Sequence, residues 1–268
     1  MPNQELALVA HHWFFTANGA DTRHKVIIQN LKVKIGADES RLIIPDNQRK
    51  CNKVLCYIKA MVNFIFYFLV LVFSVVIHEV AHGYAAKAQG DDTAEVMGRL
   101  TLNPLAHIDL FGSIILPGLL IFLSLITGSG LFLFGWAKPV PYNPLKLKNM
   151  RWGSVLIALA GAGANFLLAF LFGLLIRFHI PWLGPGPNIM FSTIVLTNLM
   201  LGVFNLMPIP PLDGSRVLAG LMGDRWQGLE SFLIGNSLLI LAVFLMFGSY
   251  LIMPIVSVLF GLLTGAGV

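Results

Sequence analysis

Two histidines and a glutamate in one apolar stretch are the residues of this chain best suited to chemistry. The stretch VVIHEVAHGYAAKAQG, residues 75–90, carries His78 and His82 four positions apart, with Glu79 beside the first. On a helix such a pair shares one face, one turn apart, so both imidazoles can bind one zinc ion. Glu79 is then placed to act as general base toward a water molecule. The spacing therefore predicts metal-dependent hydrolysis with Glu79 as the catalytic residue.

A catalytic zinc site needs a third protein ligand and an open position. Asp213, in FNLMPIPPLDGSRVLAG, is the best candidate because the prolines prevent a continuous helix and can direct a carboxylate into a helix bundle. Its alternative role is the N-cap of a helix beginning at Gly214. His107, in LTLNPLAHIDL, competes for the same position, and His179 is interpreted as an interfacial residue.

The composition indicates what kind of element must position these residues. Of 268 residues, 56% are hydrophobic and 12% charged, and the mean hydropathy is +0.78, whereas an ordinary soluble domain has roughly 25% charged residues. The chain is therefore predicted to be an integral membrane protein, in which ionisable groups are costly and mark functional sites. The net charge of +5 is assigned to cytoplasmic loops rather than to nucleic acid, which is not expected as a partner. Cys51 and Cys56 lack C-x-x-C spacing and are expected to be free thiols.

Apolar runs long enough to cross a bilayer as helix, about 20 residues, predict an all-α polytopic fold of five or six transmembrane helices with a zinc site in the bundle core. Gly128-Ser129-Gly130 interrupts one run, which is expected to be a helical hairpin or re-entrant element. The last run is too long for one untilted span, and we expect two short helices divided near Gly248-Ser249. The runs are 60–88, 112–135, 152–176, 189–207 and 231–264.

The first residues differ in kind from the rest. Residues 1–58 are predicted to form a polar tail of unknown function, and residues 59–268 a membrane-embedded domain. The tail has no apolar core typical of a secretory signal, and IIQNLKVKI is expected to be a short strand. No regulatory domain is expected after Val268. The histidines of the tail are expected to be solvated, namely His11, His12 and His24.

The order of these motifs carries a family resemblance. HEVAHG in an apolar helix, followed by N-x-x-P-x-x-P-x-D-G from Asn205 to Gly214, resembles the site-2 protease family of intramembrane zinc metalloproteases. Between the two motifs, GRLTLNPLAHIDLFGSIILP and FGWAKPVPYNP resemble a compact prokaryotic branch of that family. The resemblance covers roughly residues 75–218. It implies one zinc ion per chain, bound by His78, His82 and Asp213, with Glu79 as the catalytic base.

One segment departs from the family pattern. The family's A-G-P-x-x-N span here reads AGAGAN, residues 160–165, so that the proline is lost and Asn165 remains. Asn165 and Asn205 are candidates for hydrogen bonding to the substrate backbone or to the tetrahedral oxyanion. The alternative for each is an interhelical hydrogen bond. Gly161 and Gly163 are expected to be close-packing positions.

The distribution of basic residues predicts sidedness. If 112–135 is a hairpin, the loops 89–111, 136–151 and 208–229 share one side, which the positive-inside rule makes cytoplasmic. The basic residues near the membrane at 49–59 stand against that rule. The expected location is a prokaryotic cell membrane, with the active site open to the cytoplasm. The basic residues of the three loops are Arg99, Lys138, Lys146, Lys148, Arg151, Arg216 and Arg225.

The sequence thus predicts an intramembrane zinc endopeptidase. Its expected partners are the lipid bilayer and a single-span or membrane-anchored protein substrate. A divalent-metal transporter would also place His, Asp and Glu in membrane helices, and a proteolytically inert membrane-protein binding module is the third possibility.

Overall fold

The computed structural model describes residues 46–127, 135–178, 185–223 and 227–265. Within these ranges the chain is helical and contains no β-strand. The proposed strand IIQNLKVKI, the tail histidines His11, His12 and His24, the interruption at 128–130, and His179 all lie outside the described residues.

The described part of the chain contains eight α-helices, which we number in sequence order. A turn of 3-10 helix, Pro104–His107, and a short π-helix, Leu110–Ile115, lie between the second and third, and a further 3-10 turn, Pro144–Lys146, precedes the fourth. The α-helices are α1 Asp46–Ala88, α2 Thr93–Val96, α3 Leu116–Thr127, α4 Met150–Arg177, α5 Pro185–Asn205, α6 Asp213–Met222, α7 Gln227–Gly235 and α8 Ser237–Thr264.

Helix α1 carries the histidine pair. It ends at Ala88, as expected, and the chain then turns at Gly90. The φ angle of Gly90 is 101°, a value that residues with a side chain rarely adopt. The helix extends back to Asp46, into the segment assigned to the polar tail. Large apolar side chains such as Phe64 and Phe68 are more than half exposed, which suits a helix surface in contact with lipid.

Three helices among the described residues are long and apolar enough to cross a membrane: Met61–Ala88, Met150–Arg177 and Asn188–Asn205. Two shorter apolar helices, Leu110–Ser124 and Tyr250–Thr264, fall below that length. The all-α prediction is therefore confirmed for the described part of the chain, while the number of five or six spans stays a prediction.

The two ends of the run 112–135 lie next to each other. The Trp136 N–H donates to the carbonyl oxygen of Gly112 at 3.2 Å, and the Ser113 hydroxyl donates to the Trp136 carbonyl at 2.8 Å. A Cβ on Gly112 would collide with the Trp136 indole, so glycine is needed for this closure. Because these contacts join the two ends, residues 112–113 and 136 lie side by side, while residues 128–134 between them are outside the described part of the chain.

The predicted division near Gly248-Ser249 is wrong. Helix α8 runs unbroken from Ser237 to Thr264, through Gly248 and Pro254, and the break falls earlier, at Asn236 between α7 and α8. Glycine is tolerated inside this helix because Phe244, one turn earlier, lies over it, within 2.8 Å of where a Cβ would be. Apolar surroundings also favour an unbroken helix, since a broken turn would leave backbone groups without partners.

The chain separates into two compact units. One comprises residues 1–66 and 109–136, and the other comprises residues 67–108 and 137–268. In the second unit α4 packs against α5, α6 and α8, around fully buried side chains that include Ile157, Val195, Leu199 and Val256. Both sequence motifs, HEVAHG and PPLDG, belong to this unit.

Loops of the second unit meet at one end of its helices. The Lys138 N–H donates to the His107 carbonyl at 2.8 Å, and the Lys148 N–H donates to the Gln89 carbonyl at 3.2 Å. The Arg151 guanidinium donates to the Gly220 carbonyl at 2.6 Å, at the end of α6. The segments after α1, before α4 and around α6 therefore lie together.

Candidate metal centre

Three side chains from distant parts of the chain converge on one point. The Asp213 Oδ2 atom lies 3.1 Å from Nε2 of His78 and 3.1 Å from Nε2 of His82. The two Nε2 atoms lie 2.9 Å apart, with the rings nearly perpendicular at 87°. All three residues are buried. Asp213 is thus brought against the histidine pair although it follows His82 by 131 residues in the chain.

Hydrogen bonds on the outer side of each ring determine which nitrogen faces the cluster. His78 Nδ1 lies 2.7 Å from the Asn165 side-chain oxygen, and His82 Nδ1 lies 2.7 Å from the Ile157 carbonyl oxygen. Both partners are acceptors, so each Nδ1 carries the hydrogen and donates it. Each Nε2 therefore directs a lone pair inward, the arrangement that metal-ligating histidines adopt.

The convergence fits a metal ion better than it fits a closed hydrogen-bond network. With hydrogen on both Nδ1 atoms, two nitrogen lone pairs and one carboxylate oxygen face each other, and none of the three can donate. A cation resolves that conflict, and the three ligand atoms lie within 4.8 Å of one another. Two nitrogens and one oxygen are a donor set that zinc accepts in catalytic sites with an open position.

The position of Asp213 follows from a tight turn. Helix α6 begins at Asp213 itself with Leu212 in the N-cap position, so the carboxylate is free to face the imidazoles instead of capping its own helix. A Cβ on Gly214 would collide with the carbonyl oxygens of Leu206 and Met207. Glycine after the aspartate is therefore required for the chain to fold back on the end of α5.

Gly161 of α4 makes room for both histidine rings. A Cβ at this position would lie 2.5 Å from His82 Nε2 and 2.7 Å from His78 Cε1, well inside ordinary contact distance. The expectation of close packing is thus confirmed for Gly161. It is wrong for Gly163, where a Cβ would meet nothing within 4 Å, because that residue lies on another face of α4.

Glu79 is half-buried beside the cluster and has a backbone partner. Its Oε2 atom accepts a hydrogen bond from the Val140 N–H at 2.9 Å. The Val140 side chain in turn packs over Gly83, where a Cβ would lie 3.0 Å from Val140 Cγ1 and would collide with Leu100. The glycine of HEVAHG therefore lets the segment carrying Val140 approach α1 closely.

Asp91 holds the segment 137–149, which we term the strap, in place. Its carboxylate is fully buried and accepts from the Asn143 N–H at 2.6 Å, from the Thr93 N–H at 3.1 Å and from the Thr93 hydroxyl at 2.5 Å. Burial alone raises the pKa of Asp91, but these hydrogen bonds outweigh it and hold the pKa below its ordinary value.

Lys146 of the strap forms an exposed ion pair with Asp92 at 2.6 Å. Leu147 of the strap is buried against Ala86 and Ile157.

The other candidate residues are distributed as follows. Asn165 is fully buried and donates its side-chain N–H groups to the Ser74 carbonyl at 3.2 Å and to the Asn198 side-chain oxygen at 2.9 Å. Asn205 is half-buried and donates to the Leu201 carbonyl of its own helix at 3.0 Å. His107 does not belong to the metal cluster, and its Nε2 lies 2.9 Å from the Thr101 carbonyl oxygen.

Sequence reasoning missed Asn198 and Val140. Asn198 carries the same signal as Asn165, an amide in the middle of an apolar helix, and that signal could have found it. Val140 acts through its backbone N–H, which no residue type reveals. Its contact with Glu79 depends on how the strap folds.

A cavity of about 540 Å³ opens beside the PPLDG turn. It is lined in part by the side chains of Tyr142, Arg151, Ser215 and Arg216. The Arg216 guanidinium lies over the Tyr142 ring, 5.4 Å from its centre, so the strap and α6 are in contact at this recess.

Comparison with known proteins identifies a family and several relatives of this chain. The model of peptidase family M50 matches residues 66–182, a range that includes both histidines, Glu79 and Asn165. YwhC of Bacillus subtilis, assigned as a zinc metalloprotease, is 36% identical over 198 residues, which cover 70% of this chain and 84% of that protein.

Other relatives are more distant. Rip2 of Mycolicibacterium smegmatis is 34% identical over 53% of this chain, and the zinc metalloprotease MJ0392 of Methanocaldococcus jannaschii is 26% identical over 76% of it. The matched regions span about half the length of each of these two proteins, 51% and 50%. No solved structure matches the chain significantly. The extent of the match to YwhC and the family model together show that this chain belongs to peptidase family M50, the site-2 protease family.

Proposed function

We propose that this protein is an intramembrane zinc endopeptidase that hydrolyses peptide bonds of membrane-spanning substrate helices near the cytoplasmic face. The observation that carries the proposal is the convergence of His78, His82 and Asp213, with Glu79 next to the first ligand on the same helix. A metal transporter has no need of a glutamate in that position.

Zinc is the metal that best suits the ligand set. Two imidazole nitrogens and one carboxylate oxygen leave an open position, as catalytic zinc sites require. The name of MJ0392 also describes a zinc metalloprotease. When bound, zinc supplies Lewis-acid chemistry that activates water and polarises a carbonyl group.

Different residues of the chain would then bind the metal and transfer the proton during hydrolysis. His78 and His82 are held by their Nδ1 hydrogen bonds in the orientation that binding requires. Glu79 takes the proton of the attacking water and returns it to the leaving amine, which is the role of a general acid–base group. The Val140 N–H, bound to Glu79 Oε2, holds one carboxylate oxygen in place and leaves the other for the proton.

Candidates for oxyanion stabilisation differ in their free donors. Both side-chain N–H groups of Asn165 are directed to protein acceptors, whereas Asn205 has only a hydrogen bond within its own helix. Asn205 is therefore the better candidate to donate to the tetrahedral oxyanion, since exchange of an i−4 backbone contact requires only a rotamer change.

The proposed substrate is a single-span or membrane-anchored protein. His82 precedes the end of α1 at Ala88 by six residues, about 9 Å at 1.5 Å per residue, so the site lies near one membrane surface. Amides of a helix are shielded by their own hydrogen bonds, and the substrate must unwind locally before attack. The recess beside the PPLDG turn supports entry of an extended segment from the side of the basic loops, which the positive-inside rule makes cytoplasmic in a prokaryotic cell membrane.

The test is cleavage of a panel of single-span helices in proteoliposomes with zinc present and with a chelator. We expect chelator-sensitive cleavage by the unmodified protein and its loss in Glu79→Gln, with zinc content preserved. Glu95→Gln is the matched control, because Glu95 is an exposed carboxylate whose ion pair among the described residues is with Lys87, at 2.7 Å. Cleavage that survives Glu79→Gln would refute the assignment of the base. Zinc flux without cleavage would identify a transporter, and zinc binding without either would identify an inert binding module.

A further inference from the structure

A chain of buried amides lies behind His78. Asn165 on α4 and Asn198 on α5 are both fully buried, and they are joined to each other and to α1. Asn165 Nδ2 donates to the Asn198 side-chain oxygen at 2.9 Å, and Asn198 Nδ2 donates to the Ser74 hydroxyl at 3.0 Å. Three helices thus share one polar network in an otherwise apolar interior, and its last member is a metal ligand.

Two backbone carbonyls determine how the amides are oriented. A carbonyl oxygen can only accept, so the Ile194 carbonyl, 2.9 Å from Asn198 Nδ2, requires the amino group of Asn198 on that side. The Asn198 side-chain oxygen is then left to face Asn165. The Ser74 carbonyl, 3.2 Å from Asn165 Nδ2, imposes the same direction on Asn165.

The orientation of the Asn165 amide determines which nitrogen of His78 carries the hydrogen. With its amino group directed to Ser74 and Asn198, Asn165 presents its oxygen to His78 Nδ1 at 2.7 Å. His78 must then carry its hydrogen on Nδ1, and its Nε2 lone pair is free toward Asp213 and His82. In the opposite orientation Asn165 would donate to Nδ1, and the hydrogen of His78 would move to Nε2, where it would block metal binding.

We propose that Asn198 is a positioning residue for the metal centre: it acts through Asn165 to hold His78 as the tautomer whose Nε2 can bind metal. This inference rests on the proposed function in that His78 is taken as a metal ligand. Asn198 touches neither the metal cluster nor the reacting atoms, so its effect is on metal affinity and passes entirely through Asn165.

The test is zinc affinity, measured by competition with a chelator on purified protein in detergent. Partners of metal-ligating histidines typically contribute about 10- to 100-fold in affinity, and we expect Asn198→Leu to weaken zinc binding by about tenfold or more. Asn165→Leu should weaken it at least as much. The double variant should bind no more weakly than Asn165→Leu alone, because Asn198 then has nothing left to orient. Thr193→Val is the matched control on the same helix, since Thr193 is buried but donates only to the Ile189 carbonyl at 3.0 Å.

A second readout separates positioning from a loss of packing. Selective ¹⁵N labelling of histidine in the metal-free Asn198→Leu variant should show hydrogen on Nε2 of His78 in a larger fraction of molecules than in the unmodified protein, whereas a packing defect alone would leave the tautomer unchanged. Selective ¹⁵N labelling of histidine in the metal-free unmodified protein adds a readout that needs no variant, and we expect His78 to carry hydrogen on Nδ1.

Three results would overturn the inference: normal zinc affinity in Asn198→Leu, additive losses in the double leucine variant, or hydrogen on Nε2 of His78 in the metal-free protein. Each leaves the proposed function standing if the unmodified protein binds zinc and cleaves. Absence of zinc binding in the unmodified protein would overturn both.

Discussion

Substituting Gly161 by alanine tests whether the metal centre depends on close approach of α4. The added Cβ would lie 2.5 Å from His82 Nε2 and 2.7 Å from His78 Cε1, whereas carbon atoms in contact lie about 3.5–4.0 Å apart. The rings or the helix must therefore move by about 1 Å. Because both rings are held from behind by the Ile157 carbonyl and Asn165, they cannot retreat without losing those hydrogen bonds.

The expected magnitude follows from two effects. Overpacking a close-packed site costs about 1–3 kcal/mol, and a displacement of about 1 Å at a catalytic centre can lower the rate about 100-fold. We expect Gly161→Ala to lose most of its cleavage activity and part of its zinc affinity. Its thermal stability should fall by the overpacking cost.

Gly163→Ala is the matched control, because it introduces the same methyl group two residues further along the same helix. A Cβ there meets nothing within 4 Å, and alanine is favoured over glycine inside a helix by about 1 kcal/mol. Cleavage rate, zinc content and thermal unfolding are measured for both variants. If Gly161→Ala cleaves and binds zinc as well as Gly163→Ala does, the rings are not confined by α4 and the reasoning is refuted.

Two further predictions concern the strap. Val140→Pro removes the N–H that binds Glu79 Oε2. The lost hydrogen bond to a charged group is worth about 1.5–3 kcal/mol, so we expect cleavage to fall about 10- to 150-fold while zinc content stays unchanged. Val140→Ala keeps the N–H, so equal activity in the two variants would contradict this role. Asp91→Asn weakens the buried hydrogen bonds to Thr93 and Asn143, and we expect lower thermal stability near neutral pH. Because the folded-state pKa of Asp91 is below its ordinary value, its stabilisation is present above about pH 4 and is lost as pH falls through the folded pKa. The difference in melting temperature between the unmodified protein and Asp91→Asn should therefore shrink on acidification, and a constant difference from neutral to acid pH would contradict it.

Local pattern accounts for much of what the sequence predicted correctly. His78 and His82 share a face because a helix repeats every 3.6 residues, and that periodicity needs no tertiary information. The end of α1 at Ala88 is likewise local, since the chain turns at Gly90 with φ of 101°. The interruption in the last apolar run was misplaced because a glycine-serine pair is a weak helix breaker where apolar neighbours cover it.

Other features were beyond local pattern. Gly161 and Gly163 are equivalent as residue types, yet only one faces the histidine rings, and the difference depends on the rotation of α4 against α1. An amide in an apolar helix marks Asn198 as a candidate, but its role depends on its hydrogen-bond partners, which only the packed structure shows. The hydrogen bond from Val140 to Glu79 involves a backbone group, whose position no side chain encodes.

By itself, the sequence determined the helical, apolar character of the chain, the metal-binding pair, the adjacent base and the family resemblance, because each depends on residue type and short spacing. Only the tertiary structure decided that Asp213 rather than His107 meets the pair. It also decided which ring nitrogens face inward and what holds Glu79. These depend on contacts between residues 61–135 positions apart, and such contacts exist only after the helices have packed and their buried polar groups have found partners.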